Sequence, residues 1–210
     1  MPLTEVISPT DPQSINKAAL ILNKGGVIVY PTETLYGIGA LASMNRAVER
    51  IFEIKGRPHG KPIPLLIKNL EMLSQIAENS PLAPTLSEEY WPGALTIILK
   101  QKAILPELIT CGTGKIALRI SAHPFLHSLF DLIDEPLTST SANISGDNNI
   151  SGSEELFETF NGKVDLIVDS GKIPESRGST IVDLTLDPPQ VLREGDINSE
   201  ILKEFIDGHS

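Results

Sequence analysis

The chain has 210 residues, 40% apolar and 21% charged, with 17 Lys+Arg against 27 Asp+Glu and a formal net charge of −10. This is ordinary globular composition, enough for one substantial core. The acidic balance argues against a protein whose main task is gripping nucleic acid, because phosphate neutralisation dominates that affinity.

No run of about 18 apolar residues is available to cross a bilayer. The opening MPLTEVISPTDPQ has neither a basic nor an apolar leader region. A single domain over 1–210, located in the cytoplasm, is expected. The lone cysteine, Cys111, leaves no internal disulfide and no cysteine-based zinc cage to consider, and beside Gly112 it reads as a passive loop residue.

Asp11-Pro12 reads as a helix start, a capping oxygen followed by a preset φ, with Ile15, Ala19 and Leu22 on one face and Gly25-Gly26 as the stop. Val27 to Tyr30 is apolar throughout, as in a strand buried on both faces. A Pro-Thr-Glu-Thr turn follows, then a helix from Asn45 to Lys55 with Val48, Ile51 and Phe52 inward, ended by Gly56 and Pro58.

The loop after that helix carries Lys55, Arg57 and Lys61, with Lys68 beyond, and no acidic residue lies between Glu53 and Glu71. Gly56, Pro58, Gly60, Pro62 and Pro64 turn or stiffen it at nearly every second residue. Cations on a rigid irregular turn suit a phosphate or carboxylate. A solvated turn in which Lys55 merely complements the helix dipole uses the same residues.

Pro64 to Ile67 is a further short strand. Helices open after Asn69 and Ser80, each with a capping residue, and Trp91-Pro92-Gly93 leads into a strand at Leu95 to Leu99. Ile116 to Ile120 is a strand carrying Arg119 in an apolar run, a cation that either pairs with a carboxylate at a sheet edge or points into a site. His123 and His127 stand four apart on a helix opened by Pro124. With no third ligand nearby they read as a solvent-facing pair, and no metal site is assigned. Thr138 to Asn143 places four hydroxyls and an amide after a strand, either a neutral anion cradle or a set of turns capping their own backbone.

Asp147 to Gly152 is a polar loop, Ser153 caps a helix to about Phe160, and Asp165 to Asp169 is a strand. Gly171 to Gly178 is a loop, Ser179 to Leu184 and Gln190 to Arg193 are strands, and a helix spans Asn198 to about Ile206. Gly37-Ile38-Gly39-Ala40-Leu41-Ala42 fits a loose dinucleotide pattern in the wrong context, since Pro31 to Tyr36 separate it from its strand. No Walker loop is present, so any ATP is bound without one.

In order along the chain, PTETLYGIGA (31–40), KGRPHGKP (55–62), YWPGALTIIL (90–99), ALRISAHP (117–124), STSAN (139–143), and GSTIVDLT followed by VLREG (178–195) resemble the YrdC/Sua5 family. The resemblance implies an α/β domain, its core about 13–195, with a twisted mixed sheet and helices around a large concave cavity. The extra C-terminal domain of the longer Sua5 form is not expected. It also implies a nucleotidyltransferase, L-threonylcarbamoyladenylate synthase, joining L-threonine, bicarbonate and ATP, with Mg²⁺, and releasing pyrophosphate. The product serves t6A modification of tRNAs through a separate tRNA threonylcarbamoyltransferase complex, and any contact of this chain with tRNA is weak and indirect.

By the same resemblance, threonine contacts fall on Thr34, Arg119, Ser139 and Ser179. ATP contacts fall on Lys55, Arg57, Lys61, Ser141, Asn143, Asn149 and Arg193, with Lys55 and Arg57 as the catalytic cations. Some members carry a histidine where Leu66 stands here. Two rival functions are a paralogue that forms a carbamoyl-adenylate from carbamoyl phosphate, and a non-catalytic RNA-binding module. Gly171 to Gly178 and Asp147 to Gly152 are lid candidates or ordinary surface loops.

Overall fold

Val27, Ile28, Val29 and Tyr30 are all completely buried, as their unbroken apolar run requires, and they sit in the middle of a sheet. The computed structural model describes residues 3–102 and 105–209. In chain order the elements are β1 (Glu5–Ile7), α1 (Ser14–Asn23), β2 (Ile28–Tyr30), β3 (Gly37–Gly39), α2 (Asn45–Lys55), β4 (Leu65–Leu66), α3 (Leu70–Ile76), α4 (Leu82–Tyr90), β5 (Leu95–Lys100), α5 (Glu107–Thr110), β6 (Lys115–Arg119), α6 (Pro124–Leu129), β7 (Leu137–Thr138), β8 (Thr140–Ser141), α7 (Ser153–Phe160), β9 (Leu166–Val168), β10 (Thr180–Asp183), β11 (Gln190–Arg193) and α8 (Ser199–Asp207).

The expected mixed α/β architecture is built from two sheets. One has the order β1-β9-β2-β3-β8 and the other β11-β10-β5-β6-β4-β7. Both mix parallel pairs (β1 with β9, β10 with β5) and antiparallel pairs (β2 with β3, β5 with β6). Helix α2 buries Val48, Ile51 and Phe52 against a core shared with Ile63, Ile97 and Leu118. On the other side, α1 and α6 bury Ala18, Leu22, Phe125 and Leu126 against Ile28, Tyr30 and Leu166.

The segment from Leu137 to Ser141 belongs to both sheets in turn. Leu137 and Thr138 pair with β4, and two residues later Thr140 and Ser141 pair with β3. Ser139, between them, donates its N–H to the Pro64 carbonyl at 2.7 Å. Thr138 seals the crossing: its N–H reaches Ala40 O at 2.9 Å, its hydroxyl accepts from Ala40 N at 2.9 Å, and its carbonyl accepts from the Tyr30 hydroxyl at 2.9 Å. Thr138 to Ser141 is therefore a strand stepping between sheets, where turns capping their own backbone are one of the sequence readings; such a turn forms just beyond it, at Ser141–Asn143.

Other local expectations need correction. Helix α1 starts at Ser14, because Asp11 spends its carboxylate on the Gln13 N–H in a turn of its own. Asn69 does cap α3, whereas α4 follows Pro81 with no side-chain cap from Ser80. Ser153 is the first residue of α7, not its cap, and donates to Asp169 at 2.8 Å. Strand β1 and helix α5, too short to show a period, were not expected.

Gly39 permits the crossing, since a Cβ there would lie 2.0 Å from the Thr138 carbonyl oxygen, a backbone atom that cannot step aside. The Gly39→Ala variant is expected to lose about 3 kcal/mol or more of stability, read as a lower midpoint in urea unfolding.

Candidate active site

The inner face of the second sheet and the crossing segment line a cavity of about 530 Å³. Side chains alternate along a strand, so Lys115, Ala117 and Arg119 of β6 face it at every second position, and Ile181 and Asp183 of β10 do the same. Four residues at about 3.3 Å each put roughly 13 Å between Arg119 at one end and Lys115 at the other. Ile98, Ala117 and Ile181 form an apolar floor between them.

At the first end the Pro-Thr-Glu-Thr turn is organised by Thr32, whose hydroxyl accepts from the N–H groups of Thr34 and Leu35 and donates to Leu35 O at 2.6 Å. This presents Glu33 and Thr34 to Arg119. The guanidinium donates from Nη2 to Glu33 Oε1 at 2.5 Å and from Nη1 to Thr34 Oγ1 at 3.1 Å. Both sequence readings of Arg119 thus hold together: it pairs with a carboxylate and it lines the cavity. Its Nε is buried with no partner. Burial pushes Glu33 upward, but the Arg119 charge and the Ser121 hydroxyl outweigh it and hold the carboxyl below the usual value of 4.5.

Ser179 shares a 2.7 Å hydrogen bond with Thr96 and accepts Arg193 Nη2 on its hydroxyl at 3.2 Å, while its carbonyl accepts Arg193 Nε and Nη2. Arg57 is held by neutral oxygens only, donating Nε to Lys61 O at 3.1 Å and Nη2 to Pro62 O at 2.7 Å. Neither Arg57 nor Arg193 has an ion-pair partner among the described residues. Burial lowers the pKa of both, and the Arg119 charge lowers that of Arg193 further. They are uncompensated cations facing a cavity, the condition that draws in an anion.

Of the residues singled out in sequence, Thr34, Arg57, Arg119, Ser139, Ser141, Asn149, Ser179 and Arg193 line this cavity. Lys55, Lys61 and Asn143 do not. Lys55 is 1% exposed, and its ammonium lies against Ser141 O at 2.5 Å, Asn143 O at 2.6 Å and Asn143 Oδ1 at 3.2 Å. Burial, with Arg57 nearby, lowers its pKa to about 8. Lys55 therefore neither merely complements a helix dipole in solvent nor faces the cavity; it clamps the Ser-Ala-Asn turn from beneath. Asn143 belongs to that turn, accepting the Ser141 hydroxyl at 2.6 Å and donating to Asp147 O at 2.7 Å. Lys61 is exposed and serves Arg57 through its carbonyl.

Sequence reasoning missed Glu33, Arg177 and the Lys115–Asp183 pair, joined at 3.0 Å at the far end of the floor. Polar residues at alternate positions of apolar strands were the available signal for Lys115 and Asp183. Arg177 lies in the Gly171 to Gly178 loop, which is tied at both ends: Tyr36 Oη donates to Gly171 O at 2.7 Å, and Arg177 pairs with Glu194 at 2.8 Å. His123 accepts Phe125 N–H as the cap of α6, and His127 meets Ser121 O at 2.7 Å. Cys111 closes α5 in the left-handed region at φ 49°. Leu66 is buried and lines the cavity with an apolar wall.

Residues 20–195 match the Sua5/YciO/YrdC family model, described as telomere recombination. Threonylcarbamoyl-AMP synthase of Pyrococcus abyssi is 38% identical over 193 residues, covering 91% of this chain and 57% of that protein. P. abyssi Sua5 complexed with L-threonine superposes with a TM-score of 0.91 at 34% identity, covering 99% of this chain and 62% of that one. The crystal structure of Escherichia coli YciO superposes at 0.84 with 34% identity, covering 94% and 98%. The chain thus spans about three-fifths of the length in both P. abyssi matches and nearly all of YciO. HypF of Thermococcus kodakarensis, at 20% identity and a TM-score of 0.77, shares the fold.

Two outcomes follow from this geometry. Lys55→Met keeps the length but leaves the Asn143 carbonyl without its donor and the Ser141 carbonyl with only the Asn143 N–H, so it should cost about 2–4 kcal/mol in urea unfolding. Because Glu33 is held below 4.5, its contribution to stability is fully present above that value and is lost as pH falls through its folded pKa. The stability gap between wild type and Glu33→Gln should accordingly shrink as urea unfolding is repeated at successively lower pH below about 4.5.

Proposed function

Because the chain belongs to the Sua5/YciO/YrdC family, we propose that it joins L-threonine, bicarbonate and ATP into threonylcarbamoyl-AMP and pyrophosphate. The observation that carries this reading is the unpartnered Arg119 Nε, the one such buried side-chain polar atom among the described residues, in a cavity that Arg57 and Arg193 also face. A buried donor without an acceptor calls for one, and the carboxylate of a zwitterion supplies it. Thr34, Ser139 and Ser179 line the same cavity and supply hydroxyls for the remaining polar groups of the amino acid.

ATP extends its phosphates to Arg57, Arg193 and the Ser141 hydroxyl, and its base lies on the apolar floor of Ile98, Ala117 and Ile181. The threonine ammonium gives up one proton to solvent, the free amine attacks the bicarbonate carbon, and a second amine proton leaves with the bicarbonate hydroxyl as water to form the carbamate. A carbamate oxygen then attacks the α-phosphorus, and the bond to the β-phosphate oxygen breaks to release pyrophosphate. No strong base is needed beyond the amine's own deprotonation. The residues act by positioning the reactants and offsetting charge on the leaving pyrophosphate. Lys55 contributes by holding the turn that presents Ser141.

Among the described residues no group of three His, Cys, Asp or Glu side chains could hold a metal, and Glu33 and Asp183 are both engaged by cations. Mg²⁺ is accordingly proposed to enter with ATP, held by phosphate oxygens and water as part of the substrate. The adenylate then passes to a tRNA-modifying transferase. No helix among the described residues is long and apolar enough to cross a membrane, and we place the reaction in the cytoplasm.

Pyrophosphate release from MgATP by the purified protein is expected to require both L-threonine and bicarbonate. Arg57→Ala should lower kcat/KM by about 30- to 1000-fold, equivalent to about 2–4 kcal/mol of transition-state stabilisation. Release that ignores threonine, or is driven by carbamoyl phosphate, would sink this reading in favour of the carbamoyl-adenylate reaction.

A further inference from the structure

Four arginines face one cavity, and their compensation is uneven. Arg57 and Arg193 are held by neutral oxygens, whereas Arg119 is paired with Glu33 and Arg177 with Glu194. Glu33 is the carboxylate that decides the charge of the amino-acid end. Its Oε1 takes Arg119 Nη2, its Oε2 takes the Ser121 hydroxyl, and three-quarters of its side chain is shielded from water. Arg119 and Arg193 are near enough for the charge of one to act on the other, and Ser179 stands at the Arg193 guanidinium within the same wall. Without Glu33, Arg119 would join Arg193 and Arg57 as an uncompensated cation lining the cavity, and the whole cavity would suit a polyphosphate.

We propose that Glu33 is a specificity-determining residue that splits the cavity into a charge-neutral amino-acid pole at Arg119 and a cationic polyphosphate pole at Arg57 and Arg193, and so keeps pyrophosphate and ATP phosphates out of the amino-acid subsite. It rests on the amino-acid reading of that pole. A zwitterion has no net charge and binds through the unused N–H donors of an already neutralised guanidinium. A polyanion depends on uncompensated charge, which the Glu33–Arg119 pair withholds. Glu33 also fixes the rotamer of Arg119, because Nη1 and Nη2 each give one N–H to the turn, which leaves the unpartnered Nε–H and one further N–H on each Nη. The two jobs are separable by substitution: Gln keeps the length and an acceptor oxygen but removes the charge, whereas Asp keeps the charge on a shorter arm.

The test is calorimetric titration of the full chain with inorganic pyrophosphate, with and without saturating L-threonine. Wild type is expected to bind one pyrophosphate, with an affinity changed less than twofold by threonine. Glu33→Gln is expected to bind a second pyrophosphate that threonine displaces, so that saturating pyrophosphate lowers the apparent threonine affinity at least tenfold. Glu33→Asp should lower threonine affinity while still binding one pyrophosphate, and adding Arg119→Met to Glu33→Gln should return the count to one. Competition between pyrophosphate and threonine in wild type would overturn the proposal even if Glu33→Gln failed to fold, as would a folded Glu33→Gln that binds a single pyrophosphate. If threonine fails to bind wild type yet the count still rises from one to two in Glu33→Gln, the charge partition stands and the threonine reading falls.

Discussion

The fold depends on one close passage, the point where the chain crosses from one sheet to the other at Thr138–Ser139–Thr140. Two sheets that merely packed side chains together would leave a dry interface. Here a strand belongs to both, so the sheets are joined through backbone while their faces diverge around a cavity. Backbone contact at that distance tolerates no Cβ on Gly39, and the polar groups exposed by the crossing are satisfied by Thr138, Ala40 and Tyr30. Ser139 sits at the crossing and Ser141 just past it, which is why this short segment can serve both a structural and a binding role.

Lys55 and Arg57 show how one loop divides those roles. Two residues apart, they point in opposite functional directions. The Lys55 ammonium is consumed by three oxygens of the Ser141–Asn143 turn, and Arg57 is braced by carbonyls of its own loop so that it faces the cavity. A lysine is suited to the first task because a compact ammonium can satisfy converging oxygens in a closed space. A planar guanidinium suits the second because it can be held on one edge and bind on another. Arg119 repeats that design with Glu33 and Thr34 on its held donors.

Much of the secondary structure was legible because it rests on local causes. Helix α2 appeared with the bounds and buried face expected, since a 3.6-residue period and a Gly stop are properties of neighbouring residues. Strand β11 also appeared as expected, and β2, β5, β6 and β9 shifted only at their ends. Helix α1 was placed but began late, because Asp11 found a local acceptor role before the helix could use it. Strand β1, three residues long and exposed at two of them, carries no pattern of its own and exists because β9 offers it an edge.

The site divides along the same line. Composition, the acid-free cationic loop, the hydroxyl run and the family motifs are written in the order of residues, and they pointed to Arg57, Arg119, Ser139, Ser141, Ser179 and Arg193, all of which line one cavity. Which cations are compensated is a matter of distance between residues far apart in the chain. Glu33 meets Arg119 across 86 positions, Lys55 meets Ser141 across 86, and Lys115 meets Asp183 across 68. Charge along a sequence can be counted, but charge in a cavity depends on which partner the fold brings within about 3 Å. The three-dimensional arrangement therefore assigned Lys55 to the scaffold, left Arg57 and Arg193 uncompensated, and placed one carboxylate where it can neutralise Arg119.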